Sequence, residues 1–148
     1  MKRQEGVLNL EVQGLLQKWS RHVKRYQRRF FRCQRDCISY FHYKGHPPAK
    51  GAEAPWMLDL NDVVRLDKLP QTLSFEMYSA KDERLLMCKA STFGEYKIWT
   101  DVLESKINYL RERGEAAEEE MVTHFETNTF TMLALMSPDV VYELAQTT

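Results

Sequence analysis

Between Lys18 and Lys50 the chain carries a dense run of side chains able to grip an anion. They are Lys18, Arg21, Lys24, Arg25, Arg28, Arg29, Arg32 and Arg35, then Lys44 and Lys50, with His22, His42 and His46 among them. Guanidinium and ammonium groups hold phosphate oxygens through charge-assisted hydrogen bonds. Residues 1–50 carry 12 Lys/Arg against 3 Asp/Glu, a net +9, while residues 51–148 carry 9 against 18, a net −9, so the net charge of zero hides a polarity. A half-molecule that basic attracts phosphate-bearing partners, and a membrane surface and a nucleic acid both qualify. Aromatic residues interleave with the bases in a way that suits base stacking. No nucleic-acid motif accompanies them, so no nucleic-acid partner is expected.

A second constellation is Cys33, Cys37, His42 and His46, whose spacing resembles that of zinc ligands. A structural zinc needs four ligands converging tetrahedrally. His42 lies five residues along an extended strand from Cys37, and at roughly 3.3 Å per residue that is too far to converge. No metal is expected. Three cysteines (Cys33, Cys37, Cys88) are too few and odd in number for a disulfide framework, which favours a reducing, cytosolic setting. No carboxylate–His–Cys arrangement suggests a nucleophile, and no enzyme activity is expected.

The elements that must position the bases read mostly as strands. With 43% hydrophobic and 28% charged residues the composition is that of a folded globular chain, and 148 residues suit one domain plus an extension. No run approaches the roughly 18–20 apolar residues of a membrane span. Met1-Lys2-Arg3-Gln4-Glu5-Gly6 leads into no apolar leader and is not a myristoylation start.

Val7 to Trp19 alternates loosely and predicts a first strand, with Ser20 to Arg25 as a basic loop. Tyr26 to Cys33 and Cys37 to Tyr43 predict a hairpin across Gln34-Arg35-Asp36. Gly45-His46-Pro47-Pro48-Ala49-Lys50-Gly51 predicts an exposed loop. Short strands follow at Trp56–Leu60 and Val63–Leu66. Thr72–Tyr78 comes next, with Leu73, Phe75 and Met77 on one face, then Arg84–Ala90.

The period then changes. Ser91 or Thr92 can cap a helix, with Glu95 completing a capping box. Tyr96, Trp99, Leu103, Ile107 and Leu110 form one apolar stripe, and Gly114 is expected to end the helix. Seven short strands and one amphipathic helix predict a mainly β sandwich or barrel with one end plugged by the helix. Beyond it, Glu115–Glu120 reads as an acidic helix start or linker. Met121, Val122, Phe125, Met132, Leu133 and Met136 offer a weaker stripe, and Ser137-Pro138-Asp139 a further helix start.

Several segments in this order resemble the pleckstrin homology (PH) domain. Gly14-Leu15-Leu16-Gln17-Lys18 resembles its first strand, Tyr26-Gln27-Arg28-Arg29-Phe30-Phe31 its second, and Ile38-Ser39-Tyr40-Phe41 its third. Met57-Leu58-Asp59-Leu60 stands for the fourth, Phe75-Glu76-Met77 and Leu85 to Ser91 for the last two, and Trp99 for the tryptophan of the closing helix. The resemblance implies a PH-like seven-stranded β-sandwich capped by a C-terminal α-helix over residues 6–113, with residues 114–148 as an extra helical tail.

It also implies a cytoplasmic, peripheral-membrane module without a cofactor, whose partner is an anionic membrane phospholipid such as a phosphoinositide or phosphatidic acid. Headgroups bind this family between the loops joining strands one to two and three to four. The resemblance thereby assigns Lys18, Arg21, Lys24, Arg25, Arg29, Tyr40 and Lys44 to lipid binding, with His22, His46 and Lys50 nearby and Trp19 inserting at the interface. Strand alternation turns Arg28 away from Arg29. The family's phosphoinositide pattern wants a base where Gln27 stands. That leaves a looser attraction to anionic lipid, at roughly 1 kcal/mol per surface Lys/Arg. The alternative reading is a protein-binding or autoinhibitory module whose partner contacts come from residues 115–148.

Overall fold

The computed structural model describes residues 6–127, with side chains placed for residues 6–116. By compactness the chain divides into two units, Met1–Tyr109 and Leu110–Thr148. Expectations for Met121 onward, Ser137-Pro138-Asp139 included, concern side chains and segments outside those described.

Seven strands follow one another: β1 (Val12–Ser20), β2 (Arg25–Gln34), β3 (Cys37–His42), β4 (Trp56–Asp59), β5 (Arg65–Leu69), β6 (Ser74–Tyr78) and β7 (Arg84–Lys89). A helix, α1 (Phe93–Thr127), closes the order. All pairings are antiparallel and the spatial order is β4-β3-β2-β1-β7-β6-β5. The hairpins β1–β2 and β2–β3 are long ladders, because aromatic residues recur along them and the turns between them are short. By contrast β1 meets β7 at only two pairs, Gln17–Lys89 and Lys18–Cys88. That narrow seam separates a β1–β4 half from a β5–β7 half and lets the sheet fold over on itself as a sandwich.

Alternation decides what lies inside. Leu16, Phe31, Cys33, Ile38, Phe75, Met77 and Cys88 are all at or below 2% exposure and make the core between the halves. Within α1 the expected stripe of Tyr96, Trp99, Leu103, Ile107 and Leu110 is buried, and the Trp99 ring meets Phe31 edge-on at 6.4 Å. Thr92 is the cap: its Oγ1 accepts from the Glu95 amide at 3.2 Å. Lys106, fully buried on the same helix, donates to the Arg35 carbonyl at 2.7 Å. Arg35 is left-handed (φ 52) in the β2–β3 turn, so the lysine ties α1 to that turn through a backbone carbonyl.

Several boundaries differ from the sequence reading. The strand expected over Val63–Leu66 is β5, Arg65–Leu69, because a 3-10 turn over Leu60–Asp62, with Val63 as its C-cap, delays the start of the ladder. Residues 6–9 form a short helical turn, with the Leu10 amide bonded to the Val7 carbonyl, and β1 starts only at Val12. Loose alternation in Val7–Leu10 was therefore the spacing of a turn. Leu73 lies before β6 in a left-handed conformation (φ 55), ending a 3-10 turn that Pro70 opens by fixing its own φ. Gly114 does not end α1, which runs on to Thr127. A lone glycine costs about 1 kcal/mol of helix propensity, and the Arg, Glu and Ala residues around it are strong helix formers.

Candidate anion-binding site

Alternation in β2 sends Phe31 and Cys33 into the core, and carries Arg29 and Gln27 along the same inner face toward the open end. Arg28, one residue out of phase, is exposed on the outer face, as expected. On β1, Lys18 is inward next to Leu16 and stands across from Gln27 in the β1–β2 register. On β3, Tyr40 follows Ile38 on the inner face, with Trp56 of β4 opposite it.

Three predicted side chains thus converge on one mouth. The Lys18 ammonium sits 5.5 Å above the Tyr40 ring, an attraction of the cation to the ring's negative face. Trp56 stacks on Tyr40 at 5.1 Å, and Phe31 leans on it at 5.5 Å, so the tyrosine is held from both sides. Arg29 donates to the Arg28 carbonyl at 2.8 Å and to Gln27 Oε1 at 3.0 Å. Burial is the main cause that holds Lys18 below the ordinary lysine value of 10.5; Cys88 opposes it, and the Arg29 and Arg21 guanidiniums, each a smaller effect than Cys88, add to the lowering. A half-buried cation between two others is a place where an anion lowers the energy of the whole cluster.

The other predicted residues take different positions. Arg21 reaches across the β1–β7 seam and donates to the Arg84 carbonyl at 2.6 Å. There it lines, with Lys18, His22 and Arg84, a cleft of about 360 Å³. Lys24 is exposed in the β1–β2 turn in a left-handed conformation (φ 51), and Arg25 is exposed at the start of β2. Lys44 is exposed just after β3, and His46 folds onto its neighbour, Nδ1 being 3.1 Å from the Pro47 carbonyl.

Lys50 lies on the outer face instead of at the mouth. Arg32, stacked on Phe30 and Phe41 at 5.6 and 5.3 Å, draws the β3–β4 loop over that face by donating to the Pro48 and Ala49 carbonyls. A groove of about 600 Å³ results, lined by Arg32, Lys50, Gln13 and Phe41 among others. Trp19, half-buried in β1, packs edge-on against Tyr26 at 5.3 Å. The large apolar side chain exposed at the loop tip is Val23, at 49% exposure; the Ser20 hydroxyl accepts from its amide at 3.4 Å.

Sequence reasoning missed Trp56 and Arg84 as neighbours of the basic cluster. Trp56 shares its parity with buried Leu58, a signal of inward direction, but only the β3–β4 register sets it against Tyr40. The thiols of the zinc-like spacing point apart: Cys33 faces the core, whereas Cys37, paired with Gln34, is out of phase with it. Burial raises both above the ordinary thiol value, which disfavours the thiolate that a ligand or nucleophile needs.

No protein-family model and no curated protein sequence matches this chain. Solved structures do. The PH domain of human oxysterol binding protein-related protein 11 aligns with a TM-score of 0.55 at 18% identity, covering 70% of this chain and 86% of that one. The C-terminal PH domain of pleckstrin in complex with an inositol pentakisphosphate aligns at 0.54 and 18%, covering 67% and 97%. The Slm1 PH domain in complex with inositol 4-phosphate aligns at 0.52 and 15%, covering 65% and 92%. Seven antiparallel strands in this order, closed by a helix that carries a buried tryptophan, make the fold of this chain that of the pleckstrin homology domain.

Proposed function

We propose that this chain is a non-enzymatic, peripheral-membrane PH module of the cytoplasmic side, built of a domain over residues 6–113 and a C-terminal extension over 114–148. It binds anionic phospholipid, a phosphoinositide or phosphatidic acid, at the mouth formed by Lys18, Arg29 and Tyr40. The observation that carries this reading is the convergence of those side chains from three strands, with Lys18 held below its ordinary value by burial and by two neighbouring guanidiniums. An anionic headgroup supplies the missing counter-charge. That two similar folds hold inositol phosphates supports it. Arg21, Lys24, Arg25 and Lys44 surround the mouth and add long-range attraction to an anionic surface. Val23, exposed at the loop tip, supplies apolar contact at the bilayer interface, with half-buried Trp19 behind it.

The test is sedimentation with phospholipid vesicles over a salt series. Binding to anionic vesicles that weakens with salt, and is lost in the double variant Lys18→Ala/Arg29→Ala, is the expected result. Equal binding to uncharged vesicles, or none across an anionic panel, overturns the reading.

A further inference from the structure

The mouth is poorer in free donors than its count of bases suggests. A guanidinium grips a phosphate best with two parallel N–H bonds. In Arg29 both terminal nitrogens already have acceptors: Nη1 the Arg28 carbonyl at 2.8 Å, Nη2 the Gln27 Oε1 at 3.0 Å. Because a guanidinium only donates, it fixes the Gln27 amide with the oxygen toward Arg29 and the NH₂ turned away. Gln27 also stands directly across from Lys18 in the β1–β2 ladder. An uncharged side chain whose acceptor is bound to one cation therefore occupies the span between the two. Lys18, for its part, is a single compact charge that also donates to the Trp19 carbonyl at 3.2 Å.

We propose that Gln27 sets the ligand class of this mouth to a single phosphomonoester, held by Lys18 with the remaining N–H groups of Arg29 and with Tyr40. The inference rests on the lipid-binding reading above and narrows it. One phosphate satisfies Lys18 without dislodging Gln27. A second phosphate on an adjacent ring carbon needs a further cation in the span from Lys18 to Arg29, and that span holds an amide. The shared chemistry has two sources: phosphatidic acid or a phosphatidylinositol monophosphate in a membrane, and an inositol monophosphate in solution.

The experiment compares the full chain with Gln27→Lys and Gln27→Arg. Vesicles of matched surface charge carry phosphatidic acid, a phosphatidylinositol monophosphate or a vicinal phosphatidylinositol bisphosphate, and a parallel titration uses free inositol monophosphate. The unchanged chain is expected to bind the three lipids with affinities within about threefold of one another. Either basic variant is expected to raise affinity for the bisphosphate about tenfold while moving phosphatidic acid by less than about threefold, the scale of one added charge-assisted hydrogen bond. Heat released with free inositol monophosphate places the determinant in the headgroup alone, and binding seen with vesicles only adds the membrane as a requirement. Both agree with a single-phosphate site.

A tenfold bisphosphate preference in the unchanged chain overturns the proposal while leaving the lipid-binding reading in place. So does an equal gain for every lipid in the variants. Failure of the unchanged chain to bind any anionic vesicle overturns both.

Discussion

A lysine ammonium set between two guanidiniums and partly withdrawn from water costs free energy until an anion joins it. Lys18 is in that position, and only the cross-strand register reveals it. In sequence Lys18 lies nine residues from Gln27 and eleven from Arg29, and nothing in the run of bases separates those facing the mouth from those facing solvent. Alternation does half of that work, and it correctly divided Arg28 from Arg29. It says nothing of Gln27 Oε1, whose bond to Arg29 takes up donors that a count of charges treats as available. The apolar contact has the same character. Trp19 reads as the interfacial residue by type, yet its ring packs against Tyr26 while Val23 stands exposed at the loop tip. Val23→Asp is therefore expected to weaken binding to anionic vesicles by about tenfold or more, through lost apolar contact and added repulsion. Titration with a free inositol phosphate should be unchanged, which separates membrane contact from headgroup recognition.

At the scale of elements the strands were legible where composition and period agreed. The aromatic-rich segments that became β2 and β3, and the turn at Arg35-Asp36 between them, follow from local preference alone. Edges were less so. Leu73 alternates with Phe75 and Met77 in sequence, but Pro70 starts a 3-10 turn that leaves Leu73 left-handed, its carbonyl accepting from the Ala90 amide at 2.8 Å. Gly114 reads as a stop because glycine is the common residue just past a helix end. Here it lies inside α1, and a Cβ added to it meets nothing within 4 Å. Gly114→Ala is accordingly expected to stabilise the helix by about 0.5–1 kcal/mol, seen as higher helicity in circular dichroism and a raised melting temperature. A fall in either would mean that Gly114 has a role other than a tolerated helix residue.

For the whole molecule the buried titratable groups set a pH dependence. Burial raises the thiols of Cys33, Cys37 and, most strongly, Cys88 above their ordinary value of 9.0. It also raises the phenols of Tyr26 and Tyr96 above 10.0. A raised acid stays neutral in the fold while the unfolded chain ionises. Its contribution to stability is therefore complete below the unfolded value and is lost as pH climbs past it. Lys18 has the opposite sign: its lowered value means the folded chain binds fewer protons, so its contribution rises as pH approaches 10.5. Five raised acids outweigh one lowered base. The melting temperature should fall between about pH 8 and about pH 10.5, and Cys88→Ala should flatten that slope even if it lowers stability at neutral pH.

By itself the sequence determined the class of fold and the sign of its chemistry. Strand and helix periods are local, the stripe ending in Trp99 and Leu110 is written in the spacing of one segment, and the excess of bases in the first fifty residues needs no structure to be counted. Tertiary structure decided which of those bases share a site. Lys18, Arg29, Tyr40 and Trp56 come from four strands, and their meeting depends on three registers, β1–β2, β2–β3 and β3–β4. Register is a property of pairs of strands, fixed by the packing of one face against a common core. A chain read one residue at a time carries the charges but not the distances between them.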